Sequence, residues 1–449
     1  VSAAREPAAR LVAPTSGDDL SPTALRWTAQ PLDEAALEAA RTLAFERGRV
    51  LERDGAAVLT WGEAARVELT YGLAEPGAAS QATPLLAAIP ALERPGHSPE
   101  GGLSWGPLAL GALGFDRNAT TTLVLPAVSV VHDEHGTTIA TAVGRPDELV
   151  RILAGFPFAD GVAPPVPWPP SEPPDRFELV SVRPHADFRE RVALALQAIR
   201  SGAFDKVVLA REVAVHANRP FRQHDLLRRM RALHPSCAAF AVDGFVGASP
   251  ELLCRRQGAE VTSQPLAGTV ARSGDPDEDA RLAAELLASE KERNEHRIVV
   301  DAIVAALEPW CGQVEVPAVP HLLELRNVAH LASPVRATLR ADAAGAPSVL
   351  ELLAALHPTP AVGGWPREPA LEYLAKAEEL DRDRYAGPVG WVDARGDGAW
   401  WIGIRSAILD GGDARLIAGV GIVEGSDPAA ELAETQLKLQ ALLAAAVRP

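Results

Sequence analysis

Two stretches of this chain each place a pair of glutamates three residues apart: Glu292 with Glu295, and Glu431 with Glu434. On a helix that spacing puts both carboxylates of a pair on one face. The first pair stands in a column with Ala288, Val299 and Ile303, so two acids among apolar neighbours would repel one another unless a cation or donor lay between them. The second pair is followed one turn later by Lys438, which alone reads as an ordinary i,i+4 surface pair. Four carboxylates with no histidine or cysteine cluster suit a hard cation that keeps some water, namely Mg2+. Two unrelated surface pairs are the plain alternative.

Other candidates stand singly. Lysine is scarce, with only Lys206, Lys291, Lys376 and Lys438 in the chain. Where arginine is otherwise preferred, a retained lysine suggests an amine that can lose its proton, and this ranks Lys206 and Lys438. Glu251 follows Pro250 and precedes Leu252-Leu253. In such apolar surroundings a carboxyl group is held protonated to higher pH, as a general acid needs; an open edge-strand face is the competing view. Gly419 and Gly421 interrupt the apolar strand Leu416 to Val423, which keeps side chains away from its main-chain amides. Arg405, read on the strand that pairs with it, would make a carboxylate cradle beside those amides.

The elements that must position these residues follow from periodicity. Thr120 to Val131 reads as one strand, His185 to Ser201 as an amphipathic helix, and Lys206 to Val215 as a strand. Phe245 to Cys254 and Val261 to Ala271 read as hairpin arms around Arg256-Gln257-Gly258, and a single long helix runs from the acidic turn Asp275 to Asp279 through Ala305. A strand ends near His330, His357 to Trp365 is a rigid loop, and Trp400 to Ile408 pairs with Arg415 to Val423 across Asp410-Gly-Gly-Asp413. Residues 1–155 read as scaffold, 156–176 as a proline-rich linker or surface crossing, and 177–449 as the catalytic region.

Composition limits the function classes. A net charge of -16 argues against nucleic-acid and anionic-membrane partners, and no apolar run approaches a membrane span. Cys237, Cys254 and Cys311 form no Cys-x-x-Cys pair, against a disulfide framework or zinc site. A cytoplasmic protein is expected. Gly419, Gly421 and Gly425 miss the dinucleotide-binding spacing by one residue, and Gly247-Ala-Ser-Pro-Glu251 fails the hydrolase elbow.

These motifs in this order resemble the chorismate-utilising family: isochorismate synthase, salicylate synthase, anthranilate synthase component I and aminodeoxychorismate synthase. The resemblance rests on Lys206 to Arg211, Gly247 to Leu252, Pro265-Leu-Ala-Gly-Thr269, Ser289 to His296, His357-Pro-Thr-Pro-Ala361, Ala418 to Val423, and Glu431, Glu434, Thr435 and Lys438. Coverage is good from about Arg183 onward and faint before it, where Gly111 to Asp116 is similar to the family's N-terminal strand motif.

The resemblance implies an α+β fold, a large, mostly antiparallel two-sheet sandwich flanked by helices. It implies Glu295 and Glu434 as direct Mg2+ ligands and Glu292 and Glu431 as ligands through water, with the ion holding the ring carboxylate of chorismate. Tyr385, Arg405 and the amides near Gly419 and Gly421 would hold the enolpyruvyl carboxylate, while Gly268, Thr269, His330 and Lys438 line the rest. Lys206 matches the base that activates water for attack at C2, which requires a neutral amine and hence a lowered pKa; Glu251 matches the acid that protonates the departing C4 hydroxyl. Salicylate synthases commonly carry threonine where this chain has Ala361, which favours the isochorismate synthases. A monomer acting on chorismate without an obligate glutaminase subunit is expected.

Overall fold

The computed structural model describes residues 7–92, 106–146, 149, 172–326, 328–340 and 345–447. The expected linker lies outside them except for 172–176. Within them the chain forms a ten-stranded sheet, a twelve-stranded sheet and a three-stranded sheet, with antiparallel pairing between neighbouring strands. N-terminal strands are built into both large sheets: Leu108–Ala112 pairs with Pro388–Asp393 in one, and Arg49–Arg53 with Ala238–Val242 in the other.

The large sheets pack face to face through Leu108, Leu110 and Val389 from the first and Leu51, Val131, Phe240 and Phe245 from the second. Phe240 and Phe245 are fully buried with ring centroids 5.1 Å apart, and burial of each side chain stabilises by about 1.5–3 kcal/mol. Helices cover the outer faces. Val349–Leu356 and Glu290–Leu307 pack on the ten-stranded sheet, and Gln223–Leu233 and the C-terminal helix Pro428–Val447 on the other. This is the two-sheet α+β sandwich the resemblance implied.

Four expected strands are divided, and the divisions shape the site. Thr120 to Val131 is two strands, Thr121–Leu125 and Val128–His132, one in each large sheet. The intervening Pro126 has no N–H for a ladder. Pro250 likewise separates Phe245–Ser249 from Leu252–Gln257, which change sheet between them. Pro265 parts Glu260–Gln264 from Leu266–Ala271, the latter joining the small sheet. Trp400 to Ile408 also breaks, into Gly398–Ile402 and Ser406–Asp410 in different sheets. Arg405 therefore lies at a sheet crossing rather than within a strand, with a left-handed φ of 51°.

The expected long acidic helix is also two, Pro276–Ala288 and Glu290–Leu307. Ser289 is extended, with φ -67° and ψ 115°, and its side chain accepts the Glu292 N–H. A serine at an N-cap satisfies a donor that the continued helix would otherwise hold, so the second helix starts afresh with Glu292 in its first turn.

Candidate active site

The lysine strand Lys206–Ala217 and the glycine strand Asp413–Val423 pair antiparallel, with Val208 opposite Gly421 and Ala210 opposite Gly419. Over them lies a cleft enclosing about 950 Å3 between atoms, open mouth included. It is lined by Glu251, Gly268, Thr269, Glu292, Glu295, His330, Ala361, Tyr385, Arg405, Gly419, Gly421, Glu431, Glu434 and Lys438. Lys206 lies just behind this lining, fully buried, with Nζ 2.8 Å from Glu295 Oε1. Every residue singled out in the sequence is thus brought to one place.

The glycines make room for charged side chains. A β-carbon on Gly421 would lie 2.4 Å from Glu295 Oε1 and 2.9 Å from Lys206 Cε, and one on Gly268, at φ +75°, would lie 3.1 Å from Glu292 Oε2. At Gly419 the nearest atoms would be the Tyr385 hydroxyl and Val208 Cγ1, both at 3.2 Å.

Lysines sit against the four glutamates. Besides Lys206 on Glu295, Lys438 Nζ is 2.7 Å from Glu434 and donates to the Gly419 carbonyl at 2.9 Å. Lys291, which sequence reasoning passed over, bridges the helices at 3.4 Å from both Glu431 and Glu292. Three of the chain's four lysines are therefore in the site, a concentration that their scarcity could have signalled.

Electrostatics follow from burial and these partners. Burial, with Glu295 adding repulsion, raises the Glu292 carboxyl above its ordinary range; burial also raises Glu431, against Ser426 and Lys291. Burial would raise Glu295 too, but Lys206 overrides it and holds the carboxyl below the ordinary value. Burial opposes the Lys438 ammonium, yet Glu434 outweighs it and raises that group. Glu251, 3% exposed, is pushed up to about 8 by burial, against the Lys206 charge. At neutral pH its carboxyl is protonated.

The remaining wall is a hydrogen-bonded relay. Arg405 Nη2 donates to His330 Nε2 at 2.7 Å, so His330 carries its proton on Nδ1, facing Thr269 Oγ1 at 3.1 Å and the Gly268 carbonyl at 3.2 Å. Burial, then Arg405, holds His330 well below its ordinary value, keeping it neutral. Arg405 Nη1 is buried with no hydrogen-bond partner among the described residues. An orphaned guanidinium N–H is ready for an anion.

As the side chains stand, no three ligating groups among the described residues converge to hold a metal ion. The donor set nevertheless fits magnesium. All its ligand atoms are hard carboxylate oxygens, and the elevated Glu292 and Glu431 carboxyls carry a burial cost that a divalent cation would offset.

Comparison with known proteins places this architecture. A family model described as "chorismate binding enzyme" matches residues 105–447. The chain belongs to the chorismate-binding enzyme family. Within that family it is 45% identical over 269 residues to a salicylate-biosynthesis isochorismate synthase of Pseudomonas aeruginosa, a match covering 58% of this chain and 55% of that relative. The chain thus spans little more than half that relative's length. Over 280 residues it is 42% identical to the isochorismate synthase DhbC of Bacillus subtilis, covering 60% and 70% of the two chains. The solved structure of the menaquinone-specific isochorismate synthase MenF of Escherichia coli superposes with a TM-score of 0.74 at 25% identity, over 94% of this chain and 95% of that one. None of the described helices of this chain is long and apolar enough to cross a membrane.

Proposed function

We propose that this protein is an isochorismate synthase, converting chorismate reversibly to isochorismate with Mg2+. The observation that carries the reading is the buried acid-base pair around one cleft: Glu251 protonated at neutral pH, and the amine of Lys206 against a glutamate of the four-carboxylate group. The names of the relatives support the same chemistry.

Glu295 and Glu434 would hold the ion directly and Glu292 and Glu431 through water. Mg2+ supplies charge neutralisation for the ring carboxylate of the substrate. The free Nη1 of Arg405, with Tyr385 and the main chain at Gly419 and Gly421, takes the enolpyruvyl carboxylate. With Glu295 engaged elsewhere, the Lys206 amine accepts a proton from the water that attacks C2, and Glu251 donates one to the C4 hydroxyl as it leaves as water. Ala361 leaves a small, apolar wall where a hydroxyl would otherwise stand.

The test is incubation of the purified protein with chorismate, with and without Mg2+ and then with ammonium, resolved by chromatography. Isochorismate in equilibrium with chorismate is expected. Salicylate with pyruvate would assign the salicylate synthase reaction instead, and anthranilate formed only with ammonium would remove Lys206 as the base for water.

A further inference from the structure

Behind Tyr385 the cleft wall contains a buried ion pair that the chemistry above does not use. Arg382 is 3% exposed and Glu378 6%. Arg382 Nε and Nη2 donate to the two Glu378 oxygens, each at 2.6 Å. Its Nη1 donates to the Val362 carbonyl at 2.7 Å, and Nη2 also to the Val208 carbonyl at 2.6 Å. Glu378 Oε1 accepts in addition from the Ala210 N–H at 2.7 Å, and the Arg382 carbonyl accepts the Tyr385 N–H at 2.8 Å. The guanidinium stacks on Phe115, 4.2 Å from the ring centroid.

One guanidinium therefore joins three segments that face the substrate: the lysine strand at Val208, the loop carrying Ala361 and Val362, and the turn carrying Tyr385. A planar fork can serve a carboxylate and two carbonyls at once, which a lysine ammonium on a flexible stem cannot match in geometry. Arg382 and Glu378 also line a second, outer groove on the far side, with Phe115. Arg382, which lines both, stands between that groove and the cleft.

We propose that Arg382, clamped by Glu378, is a positioning residue that sets the Ala361–Val362 wall and Tyr385 against the lysine strand, and so governs how chorismate is held. The proposal rests on the chorismate reading of the cleft. Arg382 acts through its neighbours and takes no part in proton transfer.

The experiment measures kcat, KM for chorismate and the folded fraction, by circular dichroism, in Arg382→Lys, Arg382→Ala and Glu378→Gln. The expected result is a fall in kcat/KM on the order of 10²-fold, the effect of displacing bound reactants by about an ångström, with KM raised in the folded protein. A merely structural role lowers the folded fraction and the apparent kcat but leaves KM unchanged, and that outcome in Arg382→Lys and Glu378→Gln overturns the proposal. If Arg382→Ala does not fold, those two variants carry the test. Where it folds, low-millimolar guanidinium entering from the outer groove is expected to lower its KM while sodium chloride does not; a raised KM that guanidinium leaves untouched overturns the assignment of the slot. Wild-type protein that neither binds nor converts chorismate overturns the underlying reading instead.

Discussion

Glu295 Oε1 stands 2.8 Å from Lys206 Nζ, and the contact passes over Gly421 so closely that a β-carbon there would lie 2.4 Å from the same oxygen. A base candidate and a metal-ligand candidate are thus held by the absence of a side chain on the strand beneath them. Gly421→Ala is expected to displace both groups while leaving the strand paired. Steady-state kinetics should show a loss on the order of 10²-fold in kcat/KM with near-native circular dichroism; unchanged turnover would show that the crowding is relieved without moving the pair.

Removing the lysine has two separable effects. Lys206→Ala leaves the Glu295 carboxylate, whose side chain is 12% exposed, without its close partner. Breaking a buried pair from one side costs about 3–5 kcal/mol, to be read from denaturant midpoints. The loss of a general base should cut turnover by about 10²–10⁴-fold, and the loss should persist after stability is restored by added ligand.

Glu251 is expected to set the alkaline behaviour. Its folded value of about 8 lies above the unfolded value near 4.5, so the native state binds the extra proton between them. The associated stability is complete below the unfolded value and lost as pH rises through about 8. Activity that requires the protonated acid declines over the same upper limb. In Glu251→Gln the stability slope between these values should flatten, and kcat should drop by about 10²–10⁴-fold. A descending limb that survives in this variant would assign it to another group.

Lys291 lies 3.4 Å from Glu431 and from Glu292, in the gap between the two acidic helices. It is expected to compete with a divalent cation for those carboxylates. Lys291→Met should bind Mn2+, followed by electron paramagnetic resonance, up to about fivefold more tightly, the worth of a partly exposed pair. Glu295→Gln and Glu434→Gln should each weaken that signal, and chelation of the metal should abolish turnover.

Much of the site was legible because its chemistry is local in sequence. Glu292 with Glu295 and Glu431 with Glu434 are helical neighbours, and Gly419 and Gly421 stand out in an apolar strand. The fold was legible through the motif order and less through periodicity. Apolar residues continue on both sides of Pro126 and Pro250, so strands that change sheet read as one; the prolines themselves were the available signal. Ser289, three residues before Glu292, was a helix-start signal outweighed by the run of helix formers on both sides. At Ile404-Arg405 there was none, since a left-handed arginine has no compositional mark. The contacts of Arg405 with His330 and of Arg382 with Val208 and Val362 join residues far apart in the chain and become visible only once the sheets are assembled.

Both sheet crossings after Pro250 and before Ser406 deliver a site residue: Glu251 at one, Arg405 at the other. The proposed proton donor and the proposed anion anchor are thereby mounted on the seam joining the two layers, while the carboxylates ride on helices outside it. On the proposed roles, reactivity is expected to gauge interlayer alignment. A perturbation that slides one layer by a fraction of an ångström, such as pressure or a core substitution at Phe240, should silence the proposed activity well before either layer melts.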